Sequence, residues 1–196
     1  MLKLGFLSSR NGSSFRAILE AIDAGVLEAE ARLLVSNNRK SGALEFAQAR
    51  GVPHLCIPTE RDPAAADLAL RDALAGAGAE LVVLSGYLRK LGPATLARYH
   101  NRIINIHPGL LPEFGGEGMY GRRVHEAVIA AGAPLSGATI HLVDEEYDRG
   151  PVLERRELAL EPGETVDSLE ARITTLEPLF FVETLTAIAA GDLVLP

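Results

Sequence analysis

Asn105 and His107 stand two residues apart at the end of an apolar run, in the string Arg102-Ile103-Ile104-Asn105-Ile106-His107-Pro108-Gly109-Leu110-Leu111-Pro112. If the run is a strand, alternate side chains share a face, so both polar groups leave its carboxyl end in one direction. One brings an amide donor, the other a nitrogen that titrates near neutral pH. Pro108 and Pro112 stiffen the exit by fixing φ and removing backbone donors. Such a pair suits the holding of a charge that develops during a reaction; the plainer reading is a strand end that satisfies a loop. Asp148 follows in a tight turn, Tyr147-Asp148-Arg149-Gly150-Pro151. A turn aspartate commonly bonds its own backbone. Placed beside His107, its carboxylate would favour the imidazolium and raise the histidine pKa. A charged His107 next to the Asn105 amide could then hold an oxyanion, where loss of one donor typically costs about 3–4 kcal/mol.

The other histidines carry weaker cases. His141 falls within an extended run and reads as a hydrogen-bonded structural residue, and His125 as a satisfied surface or packing residue on a helix. His54 and His100 read as surface or loop residues. The His and Asp spacings match no compact zinc pattern and Asn105 is a poor ligand, so no metal is expected. No G-x-S-x-G elbow is present, which argues against a serine hydrolase.

A second candidate lies near the amino terminus, where Asn11-Gly12-Ser13-Ser14 separates an apolar run from a helical pattern. Glycine lets backbone approach a ligand closely, and a helix amino terminus offers free N–H groups with partial positive charge. The Ser13 and Ser14 hydroxyls could add donors. The loop is neither a Walker A sequence nor a G-x-G-x-x-G fingerprint. Its position, beyond the carboxyl end of a strand, favours phosphate binding over an ordinary helix cap.

The elements that would position these groups alternate along the chain. Apolar runs at residues 3–7, 32–36, 52–57, 81–84 and 102–105 read as strands. Continuous rather than alternating apolar runs mean strands covered on both faces, as in a parallel sheet. Phe15, Ile18, Leu19 and Ile22 recur at helical spacing up to a stop at Gly25. Ser41 caps a helix ending near Gly51, Asp62-Pro63 opens another, and a short one starts at Pro93. Past residue 107 the texture changes. Residues 115–121 form a glycine-rich, mobile loop, and a helix runs through Val124, Val128 and Ile129. Residues 139–144 and 152–160 pair as a hairpin across Asp148-Arg149-Gly150. A long helix spans about 165–190, with Pro178 expected to kink or break it. The expected fold class is α/β: an open, mostly parallel, Rossmann-like sheet with helices on both faces and an antiparallel addition near the carboxyl end. With no repeat or linker evident, residues 1–196 read as one domain.

The chain has 196 residues and 47% are hydrophobic, enough for one sizeable core. A net charge of −7, no basic patch and no Trp argue against a nucleic-acid partner. The single cysteine, Cys56, precludes an internal disulfide and reads as a buried packing residue in a reducing compartment. No secretory signal is evident and no apolar run approaches membrane-spanning length, so a cytoplasmic protein is expected.

Taken together, the motifs resemble the folate-dependent formyltransferases over nearly the whole chain. The resemblance rests on Asn11-Gly12-Ser13-Ser14, Ser85-Gly86-Tyr87-Leu88-Arg89, the string from Asn105 to Pro112, Ser136-Gly137-Ala138-Thr139-Ile140-His141 and Asp148-Arg149-Gly150-Pro151. It implies transfer of the formyl group of 10-formyltetrahydrofolate, as co-substrate, to the amine of glycinamide ribonucleotide, without metal. By resemblance Asn105, His107 and Asp148 are the catalytic set. Asn11, Gly12, Ser13 and Ser14 hold the substrate phosphate, Glu177 binds the nucleotide, and Leu88, Arg89, Lys90, Leu91, Asn105, Val143, Asp144, Glu145, Glu146, Tyr147 and Asp148 line the folate site. Arg89 would meet the folate carboxylates. Two positions depart from the family pattern: Ser14 stands where Asn is common, and Pro178 where His is frequent. The loop at 115–121 is longer than in some relatives and reads equally as a lid or a passive surface loop.

Rival readings are formyltetrahydrofolate hydrolysis by the same Asn, His and Asp, and a non-catalytic nucleotide-binding module. The hydrolases tend to carry His where Pro108 stands and an extra amino-terminal domain, whereas this chain starts at the phosphate-loop strand. Formyl transfer to initiator tRNA would call for an added tRNA-binding domain and a basic surface. Partners are therefore expected to be small molecules, with the protein a monomer or homodimer.

Overall fold

A computed structural model describes all residues, 1–196. Thirteen elements follow one another: β1 (Leu2–Leu7), α1 (Ser13–Asp23), β2 (Ala29–Ser36), α2 (Gly42–Ala49), β3 (His54–Cys56), α3 (Pro63–Gly76), β4 (Leu81–Leu84), α4 (Pro93–Arg98), β5 (Ile103–His107), α5 (Arg122–Ala130), β6 (Leu135–Leu142), β7 (Val152–Ala159) and α6 (Val166–Ala190). The strands form one seven-stranded sheet in the order β3-β2-β1-β4-β5-β6-β7. The first five are parallel, and β6 and β7 join antiparallel. The α/β class and the antiparallel addition agree with the sequence reading.

Alternation along each strand divides the core in two. Leu4, Phe6, Leu34, Leu81, Val83 and Ile104 face one layer, where they meet Phe15 and Ile18 of α1 and Phe180, Phe181 and Leu185 of α6. Leu7, Leu33, Val35, Val82, Leu84 and Ile103 face the other, against Leu70 and Leu74 of α3 and Tyr99. Each such side chain contributes roughly 1.5–3 kcal/mol on burial, so both faces of the central strands are fixed and their ends cannot slip in register.

Four expectations need correction. Pro178 does not break α6, which is continuous from Val166 to Ala190. An interior proline costs about 3 kcal/mol, and burial of Phe180, Phe181 and Leu185 just beyond it outweighs that. α6 is also long and apolar enough, by length and composition, to cross a bilayer, with a mean hydropathy of 1.3. Here its apolar side faces the sheet and α1. Cys56 is only half-buried, because β3 is the edge strand. The hairpin connection is longer than the turn at Asp148: it occupies residues 143–151.

Candidate active site

The chain runs outward from β1 through β2 to β3, then returns to place β4 against the other side of β1. Helices after β1 and β4 therefore diverge, leaving a crevice at the carboxyl ends of these strands, the usual ligand position in open α/β sheets. Register makes the ends level: Leu7 pairs with Leu84, and Leu84 with Asn105. With strands spaced about 4.8 Å apart, the loop after β1 and the end of β5 are separated by roughly 10 Å.

The loop after β1 is built mainly from backbone. Gly12 adopts φ 63° as the residue before α1 and supplies no side-chain cap. A side chain there would be strained by that φ, and its Cβ would lie 3.0 Å from Ala43 Cβ. Ser41 caps α2 and donates to Arg10 O at 2.6 Å, while Ala43 N–H donates to Arg10 O at 3.1 Å. Arg16 donates to Asn11 O at 2.9 Å and to Gly42 O at 3.0 Å, and its guanidinium lies over Phe46. The amino terminus of α2 thus serves to hold the loop. At α1 the first-turn amides of Ser13 and Ser14 lie beyond reach of any intrahelical carbonyl, the arrangement that binds anions. Ser13 is exposed, whereas Ser14 points inward and is buried.

The other end is built from side chains. Antiparallel pairing sets Asn105 opposite His141 and His107 opposite Thr139, so these four share a face. Asp148 hangs over that face from the 143–151 connection. Its φ is 56°, a left-handed conformation that aspartate tolerates better than most residues. One carboxylate oxygen lies 3.4 Å from His107 Nδ1 and accepts Gly116 N–H at 3.0 Å. The other lies 3.5 Å from His141 Nε2. The glycine-rich loop therefore touches the carboxylate directly. Gly115 has no room for a side chain, since its Cβ would run into the Leu111 side chain and lie 3.0 Å from Asp148 Cβ.

Partner chemistry fixes the tautomers. His107 Nε2 meets Phe114 O at 2.7 Å; a carbonyl only accepts, so Nε2 carries the hydrogen. His141 Nδ1 donates likewise to Leu142 O at 2.9 Å. Neutral His141 then presents a bare Nε2, which accepts from Asn105 Nδ2 at 3.2 Å. That bond orients the Asn105 amide and leaves its second hydrogen for the cleft.

Burial pushes His107 below the ordinary histidine value; Asp148 and the Phe114 carbonyl oppose the shift without overcoming it. Asp148 does act to raise this pKa, as expected, but the expectation of a charged His107 is corrected: His107 is almost fully buried, and desolvation of the imidazolium outweighs the carboxylate. His141 is lowered for the same reason, with Leu142 O and Asp148 opposing.

A cleft opens beside this cluster, lined by Leu84, Tyr87, Arg89, Lys90, Leu91, Asn105, His141, Val143, Asp144, Glu145, Glu146, Tyr147 and Asp148. Every residue expected at the folate site is on its wall except Leu88, which is turned to solvent. Arg89 is tied to Glu60 at 2.6 Å by an exposed pair, worth at most about 1 kcal/mol and readily exchanged for a ligand carboxylate. Lys90 Nζ lies 5.7 Å above the Tyr147 ring. His107 is not on the wall; it sits behind Asp148 with both ring nitrogens facing protein groups. Direct contact of His107 with an oxyanion, as first read, does not match this arrangement, whereas the Asn105 amide does.

His141 is the residue that sequence reasoning undervalued. The available signal was register: once β5 and β6 pair antiparallel, a histidine opposite Asn105 must share its face. His125 is buried as a packing residue, but its Nδ1 has no hydrogen-bond partner, contrary to the satisfied role expected. His54 and His100 are exposed. Glu177 lies on α6, part-buried, and desolvation pushes its carboxyl up to about 7. No three His, Cys, Asp or Glu side chains converge in a way that could hold a metal ion.

Comparison with known proteins places this arrangement among relatives. A family model described as formyl transferase matches residues 2–185. A chloroplastic phosphoribosylglycinamide formyltransferase of Vigna unguiculata is 38% identical over 98% of this chain, and the chain spans 62% of that protein's length. The phosphoribosylglycinamide formyltransferase of Bacillus subtilis (strain 168) is 34% identical, over 90% of this chain and 89% of the relative. The crystal structure of glycinamide ribonucleotide transformylase 1 from Symbiobacterium toebii superposes with a TM-score of 0.89 at 31% identity, covering 100% of this chain and 91% of that one. With a model match across β1 to α6 and these identities, the chain belongs to the formyl transferase family.

Proposed function

We propose that this chain is a phosphoribosylglycinamide formyltransferase, acting as one domain over residues 1–196. It moves the formyl group of 10-formyltetrahydrofolate to the amine of glycinamide ribonucleotide, giving formylglycinamide ribonucleotide and tetrahydrofolate for purine synthesis. The observation that carries this reading is the level alignment of two ends: an anion-holding helix terminus after β1, and the Asn105–His141–Asp148–His107 cluster after β5. The span suits a nucleotide whose phosphate sits at α1 and whose amine reaches the cluster.

The amine nitrogen attacks the formyl carbon, forming the new C–N bond. Negative charge gathers on the formyl oxygen, and the free hydrogen of the Asn105 amide meets it there. The amine sheds its proton toward Asp148, directly or through a water, and His107 behind the carboxylate takes up charge as the proton arrives. The bond to the folate nitrogen then breaks, and that nitrogen gains the proton. Neutral His141 keeps Asn105 aimed. Holding amine and formyl carbon together supplies much of the acceleration. Leu91, Val143 and the 144–147 segment would hold the pterin, Arg89 the folate carboxylates, and Ser13 and Ser14 the phosphate. Glu177, whose carboxyl titrates near neutrality, would bind the nucleotide. Small molecules suffice as partners, no metal takes part, and the cytoplasm is the proposed compartment.

The test follows folate absorbance on mixing purified protein with 10-formyltetrahydrofolate, with and without glycinamide ribonucleotide. Formyl loss only with the nucleotide is the expected result. Equal loss without it would make the protein a formyltetrahydrofolate hydrolase, and no loss in either case would leave a binding module.

A further inference from the structure

Ser9 and Ser85 follow neighbouring strands, and each serves the segment that follows the other's strand. Ser9 Oγ accepts the Leu88 N–H at 2.8 Å and donates to Asn37 Oδ1 at 2.6 Å. Ser9 N–H donates to Gly86 O at 3.1 Å, and Ser9 O accepts from Asn38 Nδ2 at 3.2 Å. In return, Ser85 Oγ accepts the Phe15 N–H at 3.0 Å. Phe15 is the third residue of α1, and its amide is one that a helix's own capping side chain would ordinarily take. Gly12 has no side chain to do so, and Ser85 fills the role from just beyond β4. Both serines are about 95% buried, with exposures of 5% and 3%. Loss of the Ser85 oxygen leaves a buried amide without a partner, and loss of the Ser9 oxygen leaves a part-buried one.

We propose that Ser9 and Ser85 are positioning residues that couple the two substrate sites. The inference rests on the transferase reading, in which the 11–14 loop holds phosphate and the 88–91 segment holds folate. A phosphate on the Ser13 and Ser14 amides fixes the start of α1 and the loop before it. Through the two hydroxyls the same event fixes residues 86–91, so the folate has less disorder to remove when it binds. The effect is reciprocal: folate tightens nucleotide by the factor with which nucleotide tightens folate.

Tetrahydrofolate and glycinamide ribonucleotide cannot react with each other, so calorimetry on the full chain reads both affinities in one ternary complex. Saturating nucleotide is expected to lower the tetrahydrofolate Kd at least about fivefold, and the reverse titration to give the same ratio. In Ser9→Ala and Ser85→Ala the ratio falls to within about twofold of unity. Ser85→Thr keeps the oxygen and keeps the ratio. Ser8→Ala removes a buried hydroxyl that has no partner in the same loop and leaves the ratio as it was. A ratio of one in the unaltered protein, or an unchanged ratio in both alanine variants, overturns the proposal. Hydrogen exchange on the unaltered protein needs no variant to fold: nucleotide alone should slow exchange at the Leu88 amide, and no slowing contradicts the coupling. If neither ligand binds at all, it is the transferase reading that fails.

Discussion

The two ends of the crevice are made of different material. At the end of β1 the groups available to a ligand are backbone amides, oriented by a helix and by a left-handed glycine. At the end of β5 they are four side chains from two strands and a connection, each held by another. A backbone site tolerates changes of side chain as long as the chain path survives. A side-chain site tolerates almost none, because each member also orients its neighbour. On this account a change at Ser14 should cost little, and a change at Asn105 or His107 much.

That contrast can be broken in graded steps. Asn105→Ala should lower kcat by about 10²–10³ with little effect on the melting temperature, since the oxyanion donor is lost and the strand is not. Gly12→Ala should act on binding instead. Forced φ and the approach to Ala43 disturb the anion loop, and the KM for glycinamide ribonucleotide should rise about tenfold with a smaller change in kcat. Equal loss of kcat would mean that the loop takes part in the chemistry.

The pH dependence sharpens the side-chain end. Burial lowers both His107 and His141, so the folded protein keeps them neutral where the unfolded chain is already protonated. Their contribution to stability is present above the ordinary histidine value near 6.5 and is lost as pH falls below it. Activity should hold through that range and fall only at lower pH, through the lowered folded-state value of His141, because protonated His141 can no longer accept from Asn105. His141→Gln should cut kcat by about tenfold to a hundredfold and shift the acidic limb. An acidic limb identical to that of the parent protein would remove His141 from the account. The smallest effect is expected at Ser14. Ser14→Ala should change the nucleotide KM by less than about threefold, because its side chain is buried and only its amide is proposed to hold the phosphate.

Much of this was legible in the sequence, and what was not has physical causes. Apolar runs of fixed length place the parallel strands, and glycine with a following serine pair marks the helix start after β1. The string from Asn105 to Pro112 marks the end of β5, and Asp148 is betrayed by its turn. The partnership of His141 with Asn105 depends on the register between β5 and β6, which no local pattern encodes. The direction of the His107 shift depends on competition between a nearby carboxylate and loss of water, and only burial in three dimensions decides it. Pro178 looked like a break because local propensity says so; Phe180 and Phe181, locked against the sheet, override it. The bonds of Ser9 and Ser85 join segments far apart in the chain, which no local pattern encodes.

The central claim is that His107 and Asp148 act as one unit on the proton leaving the amine. A double-mutant cycle on kcat tests it directly, using His107→Ala, Asp148→Asn and the pair together. Each single change should cost about 10³ or more, and the double variant should be little worse than the poorer single one. Losses that multiply, or a single variant that turns over like the parent, would contradict it.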